Sequence, residues 1–94
     1  MSGDFWILIA NPVSGRGQAR RTVPRLMQML KDRGVEASIS WTRCPGDGTT
    51  LTRQAVAQGA ARIVACGGDG TIHEVVNGLM EGPTQEKSVD ILQR

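Results

Sequence analysis

Tyrosine is absent from this 94-residue chain, and it carries only one phenylalanine, two tryptophans, one histidine and two cysteines. Cys44 and Cys66 are too few for a disulfide framework and wrongly spaced for zinc, so a reducing compartment, the cytosol, is expected. His73 has no cysteine close by, which leaves a zinc site without support. An excess of either charge is also missing. Eleven Lys plus Arg against nine Asp plus Glu leave +2, too mild to argue for nucleic acid or a membrane through charge alone. The apolar run Phe5 to Ala10 is too short for a signal-peptide core or a membrane span, and Asp4 precedes it where a basic segment would be needed. No repeat, low-complexity tract or linker breaks the chain. One small domain is expected over residues 1–94, burying roughly 60 to 65 % of the surface its unfolded form exposes. Partners have to be argued from sites.

What is present is an alternation of patterns. Phe5-Trp6-Ile7-Leu8-Ile9-Ala10 reads as a strand buried on both faces and ends in the turn-forming stretch Asn11 to Gly17. Val23, Leu26, Met27 and Leu30 then form one stripe of a helix that Gly34 ends. Thr22 fits a cap with Pro24 in the first turn, although a looser start nearer Gln18 is compatible. Ala37, Ile39 and Trp41 alternate with Ser38, Ser40 and Thr42 as a second strand, and Pro45 to Gly48 is a loop. A second helix is predicted from about Thr49 to Gln58, and a third strand over Arg62 to Cys66. Ile72, Val75, Val76, Leu79 and Met80 carry a third helix that Gly82-Pro83 terminates, with a further strand at Val89 to Leu92. Such alternation implies an α/β fold, a small parallel sheet covered by helices on both faces. Phe5, Trp6 and Trp41 are assigned to its core.

In such sheets ligands bind outside the carboxyl ends of the strands, and both glycine-rich segments sit there. In Gly67-Gly68-Asp69-Gly70-Thr71 the glycines permit positive φ and close approach of a ligand, while the helix starting near Thr71 offers unpaired N–H groups and a partial positive charge. That pattern suits a phosphate. Asp69 would repel a bare phosphate, so a divalent cation between them makes Asp69 a candidate Mg²⁺ ligand. The plain alternative is a tight strand-to-helix turn that Asp69 or Thr71 caps. Asn11 to Gly17 repeats the logic, with Asn11 and Ser14 able to bond a phosphate or hold the loop, and Arg16, Arg20, Arg21 and Arg25 beside it either neutralise phosphates or form a solvated helix face. Neither loop is Gly-x4-Gly-Lys-Ser/Thr or Gly-x-Gly-x-x-Gly. His73 reads as a surface or interface residue, with a base or proton shuttle as the alternative; Glu74 is explained by helix N-terminal polarity, and both cysteines are assigned to packing.

Taken together, "NPVSGRG", "TRCPGDGTTLTRQAV" and "GGDGTIHEVVNGL" resemble the diacylglycerol kinase catalytic domain family, which includes bacterial diacylglycerol and YegS-like lipid kinases and the sphingosine and ceramide kinases. The resemblance implies a three-layer α/β/α sandwich, Rossmann-like and similar to the N-terminal domain of NAD kinase and phosphofructokinase. It also implies ATP and Mg²⁺ as cofactors and transfer of the γ-phosphoryl group to a lipid hydroxyl such as that of diacylglycerol. Carried over, Asn11, Ser14 and Gly15 belong to the nucleotide loop, Thr42 reaches ATP from the second strand, and Gly67, Gly68, Asp69, Gly70 and Thr71 surround the phosphates, with Asp69 as catalytic and metal residue. His73 stands where relatives often carry Asn, and Gly48 where they often carry Ala, a change expected only to loosen the helix start. The Gly-Thr-x-Asn-Asp segment and the β-rich lipid domain that follow in the family are absent from these residues. The expectation is a cytoplasmic nucleotide-binding portion, peripheral to the membrane in a longer form, inactive alone and prone to homo-oligomerise. The alternatives are an NAD kinase-like fragment and a non-catalytic nucleotide-binding or assembly module.

Overall fold

A computed structural model of the chain describes residues 5–81 and 88–92. Its centre is β1 (Phe5–Ala10), whose alternating side chains are buried on both faces because a strand lies on each side of it and helices lie above and below. Ile7 and Ile9 point to one layer, Leu8 and Ala10 to the other. The remaining elements are α1 (Ser14–Gly17), α2 (Ala19–Asp32), β2 (Glu36–Trp41), α3 (Asp47–Ala57), β3 (Arg62–Cys66), α4 (Asp69–Glu81) and β4 (Ser88–Leu92). The sheet is parallel throughout with strand order β2-β1-β3-β4. It is the expected α/β/α sandwich.

The two apolar layers are separate. On one face Val23, Leu26, Met27 and Leu30 of α2 cover Leu8, Ala10, Val64 and Cys66, with Trp6 and Trp41 packed alongside. On the other, Leu51, Ala55 and Val56 of α3 and Ile72, Val75 and Leu79 of α4 cover Ile7, Ile9, Ile63 and Ala65, with Phe5 against them. Leu8, Ile9 and Ile63 are fully buried, each contributing about 1.5 to 3 kcal/mol of hydrophobic stabilisation. β2 is an edge strand, and its alternation of Ala37, Ile39 and Trp41 with serines follows from having a helix on one face only.

Several boundaries move from their predicted places. α2 starts at Ala19, at the looser of the two predicted starts and not at Thr22, so Pro24 sits inside the helix and not in its first turn. Its missing N–H leaves the Arg20 carbonyl without a helical donor, a cost reduced because both residues are exposed to water. α3 begins two residues before Thr49 and α4 two before Thr71, because side chains hold their first turns. Val76 and Met80, counted in the α4 stripe, are exposed at 40 % and 78 %. The predicted stop at Gly82-Pro83 lies outside the described residues.

The order β2-β1-β3-β4 reverses direction between β1 and β3. The connection through α2 leads outward to β2, and the connection through α3 returns across β1 to β3 on the opposite face, as right-handed crossovers require. A crevice opens at such a switch point, at the carboxyl ends of the strands.

Candidate functional site

Strand register brings the predicted site residues to that crevice. Ala10 is opposite both Trp41 and Cys66, so Asn11, Thr42 and Gly67 leave the sheet side by side. Two hydrogen bonds fix this edge: the Asn11 N–H donates to the Cys66 carbonyl at 3.2 Å and the Thr42 N–H to the Ala10 carbonyl at 2.8 Å. Outside it lies an open cleft of about 360 Å³, at the lower end of the range of small-molecule sites. Its walls are Asn11 to Val13 after β1, Thr42 to Pro45 after β2, and Gly70, Thr71 and Glu74 of α4. Ser14 and Gly67 face a smaller neighbouring recess beside the start of α2. Gly15, Gly68 and Asp69 are exposed and line neither space. Asn11, Thr42, Gly70 and Thr71 are thus brought together, and the other five flank them.

The loop after β1 is shaped by an unusual run of backbone. The Asn11 side-chain oxygen accepts the Val13 N–H at 3.0 Å. Gly15 (φ 59°, ψ 38°) and Arg16 (φ 60°, ψ 38°) are both left-handed, and Gly17 continues at φ 83°. Arg16 is the only non-glycine with positive φ among the described residues, a conformation that costs an L-residue roughly 1 to 2 kcal/mol. The turn closes on itself, the Gly17 N–H donating to the Val13 carbonyl at 3.3 Å and the Gln18 N–H to the Gly15 carbonyl at 3.1 Å.

The loop after β3 departs from expectation. None of Gly67, Gly68 and Gly70 adopts positive φ. Gly67 is bare for a different reason: a Cβ there would come within 2.6 Å of the Thr71 hydroxyl and 2.9 Å of the Thr71 Cβ. The protein's own threonine fills that space, which holds the first turn of α4 against the end of β3. At Gly68 and Gly70 a Cβ would meet nothing within 4 Å, so room for a ligand is on that side. The N–H groups of the first turn of α4 have no intrahelical acceptor, as at any helix start.

Asp69 opens α4 as its first residue. Among the described residues no group of three or more His, Cys, Asp or Glu side chains could hold a metal by itself. One exposed carboxylate beside a backbone anion cradle instead fits Mg²⁺ that arrives with phosphate oxygens, since Mg²⁺ is commonly held by one or two carboxylates plus its substrate.

Four residues at the cleft escaped the sequence. Glu74 is not a solvent-facing acid: its carboxylate accepts the N–H of Gly46 at 2.8 Å and of Gly48 at 2.9 Å, and the Thr49 hydroxyl donates to its carbonyl at 2.8 Å. Gly48 therefore does more than loosen a helix start, because a Cβ there would lie 2.7 Å from Glu74 Oε1. Asp47, nearly buried, accepts the Arg43 backbone N–H at 2.9 Å and its Nε–H at 3.3 Å. Arg43 reaches over an adjoining hollow that Arg20 and Trp41 also line. The signal that could have found this set is the donor count of "PGDG", whose glycine N–H groups need an acceptor. Cys44 corrects the packing assignment, being exposed in the cleft, whereas Cys66 is buried as expected and its burial raises the thiol from 9.0 to about 11. His73 is exposed on α4, and Arg16, Arg21 and Arg25 are exposed like Arg20. No helix among the described residues is long and apolar enough to cross a membrane.

Known proteins resemble this chain in sequence and fold. The chain is 42 % identical over 72 residues to a diacylglycerol kinase of Bacillus subtilis, covering 77 % of this chain and 24 % of that protein. It is 38 % identical over 78 residues to a diacylglycerol kinase of Staphylococcus saprophyticus, covering 83 % and 26 %. The crystal structure of a diacylglycerol kinase from Bacillus anthracis superposes with a TM-score of 0.74 at 27 % identity, covering 94 % of this chain and 32 % of that one. The chain spans about a quarter of the length of the curated relatives it matches. Residues 5–92, nearly everything from β1 to β4, match the diacylglycerol kinase catalytic domain family, and the chain belongs to that family.

Proposed function

We propose that these residues form the nucleotide-binding portion of a lipid kinase that transfers the γ-phosphoryl group of ATP to a lipid hydroxyl, diacylglycerol being the first candidate. The observation that carries the proposal is the convergence of three strand ends on one cleft, with the first turn of α4 as one wall. Phosphate oxygens would take the N–H groups of Gly68 to Thr71 and of the left-handed Gly15-Arg16 turn, with the Ser14, Thr42 and Thr71 hydroxyls in support. Hydrogen bonds to a charged phosphate contribute about 1.5 to 3 kcal/mol each, so a few suffice for useful affinity. Asp69 would hold Mg²⁺, whose charge offsets repulsion between carboxylate and phosphates. Arg20 and Arg43, at the adjoining hollow, add positive charge where the polyphosphate would emerge.

Family membership supports this reading over an NAD kinase-like one. Phosphoryl transfer needs donor, metal and acceptor held together, and these residues supply a plausible donor site only. We expect the 94 residues alone to bind nucleotide without phosphorylating lipid, in the cytoplasm and peripheral to the membrane in a longer form. A homo-oligomer is part of the proposal, and a monomeric mass in light scattering at high concentration would remove it.

Titration calorimetry with Mg-ATP tests the binding step. Saturable binding that Asp69→Ala weakens at least about tenfold, the loss of roughly 1.4 kcal/mol, is the expected result, together with no phosphorylated lipid from diacylglycerol vesicles and labelled ATP. Absence of saturable binding to the wild-type chain would sink the nucleotide reading.

A further inference from the structure

We infer that Glu74 is a positioning residue, a carboxylate latch that ties the Arg43–Gly48 loop to α4 and so sets the shape of the cleft; its effect on ligand affinity rests on the nucleotide reading above. The two walls it joins come from different parts of the chain. One is the loop after β2, closed on itself by the Asp47 N–H to the Cys44 carbonyl at 3.1 Å and by the Arg43 N–H to the Asp47 carboxylate. The other is the first turn of α4, where Gly70 and Thr71 line the cleft one turn before Glu74. Between them each carboxylate oxygen of Glu74 has its own donor, Oε1 the Gly48 N–H and Oε2 the Gly46 N–H. A helix-dipole role would need neither bond. Both donors are backbone groups of glycines, and at Gly48 the carboxylate occupies the position a side chain would take. The Thr49 hydroxyl bond to the Glu74 carbonyl adds a third tie from the same segment.

The latch has a consequence for binding. A loop held in its competent position binds without the population penalty that a wandering loop imposes on apparent affinity. Glu74 would therefore act on a nucleotide through Thr42, Arg43 and Cys44, whatever its own contact with that ligand.

The experiment combines amide hydrogen exchange with Mg-ATP calorimetry on the 94-residue chain and two variants. Glu74→Gln keeps the volume but offers one acceptor to two donors, and Glu74→Ala offers none. Should Glu74→Ala fail to fold, Glu74→Gln carries the comparison. Exchange at Gly46 or Gly48 is expected to rise at least about tenfold in Glu74→Gln, the change implied by losing one hydrogen bond to a charged acceptor. The Kd for Mg-ATP is expected to rise about tenfold with it, as when the competent loop falls to roughly a tenth of the population. Exchange in the rest of α3 and α4 should stay as in the wild type, which general destabilisation would not allow. Unchanged exchange at both glycines in Glu74→Gln overturns the latch. Faster exchange with unchanged Kd overturns the positioning role. If the wild-type chain binds no Mg-ATP, the nucleotide reading and the positioning role fall together, while exchange still decides whether the latch exists.

Discussion

At the scale of single residues, the two cysteines show how placement overrides type. Cys66 ends β3 beneath α2, and its thiol is pushed up to about 11 by burial. Cys44 stands exposed in the cleft on the loop that Glu74 holds. At pH 8 an alkylating reagent should label Cys44 and spare Cys66 in the folded chain, and Mg-ATP should slow the labelling of Cys44; mass spectrometry of the two peptides reads both. Equal labelling of the two thiols would contradict the burial of Cys66. The same shift has a sign in stability. The folded state holds the Cys66 proton more tightly than the unfolded state, so this contribution is complete below pH 9.0 and is lost as pH rises toward about 11. Denaturant midpoints should fall across that window in the wild type and fall less in Cys66→Ala.

At the scale of elements, α3 and α4 approach closely enough to depend on one missing side chain. A Cβ at Gly78 would lie 2.7 Å from the Thr52 Cβ and 2.8 Å from the Thr49 carbonyl oxygen. Alanine favours a helix over glycine by about 1 kcal/mol, yet Gly78→Ala should destabilise by roughly 1 to 3 kcal/mol through overpacking. Urea unfolding measures this. A stabilised Gly78→Ala would show that the helices are free to part. Gly78 was invisible in the α4 periodicity, because a stripe of Ile72, Val75 and Leu79 marks which face is buried and not how near the next helix comes. The same limit applied to element starts. Strand β3 was legible to its ends, since four consecutive residues buried between two layers, Ile63 to Cys66, leave a continuous apolar run after Arg62. The starts of α3 and α4 were not, because Asp47, Glu74 and Thr71 hold them through contacts that no local pattern records.

At the scale of the whole molecule, the alternation of strands and helices announced a parallel sheet with its glycine loops on one edge. What it could not give was strand order, and the reversal between β1 and β3 is what creates the crevice. Motif composition points to Asn11, Gly70 and Thr71 and the family resemblance adds Thr42; these four line the cleft together, while Asp69, also singled out, stands exposed beside it. Of the two reasons for glycine in the β3 loop, positive φ does not apply, whereas the open space at Gly68 and Gly70 leaves room for close approach and Gly67 makes room for Thr71. The account rests on a nucleotide meeting the switch-point edge of the sheet and no other surface. A residue-resolved titration of the isotopically labelled chain with Mg-ATP, followed by amide NMR, tests that claim most directly. Saturable shifts confined to Asn11–Gly17, Thr42–Gly48 and Gly67–Thr71 are predicted; shifts centred on the outer face of α2 or α4, or none at all, would contradict it.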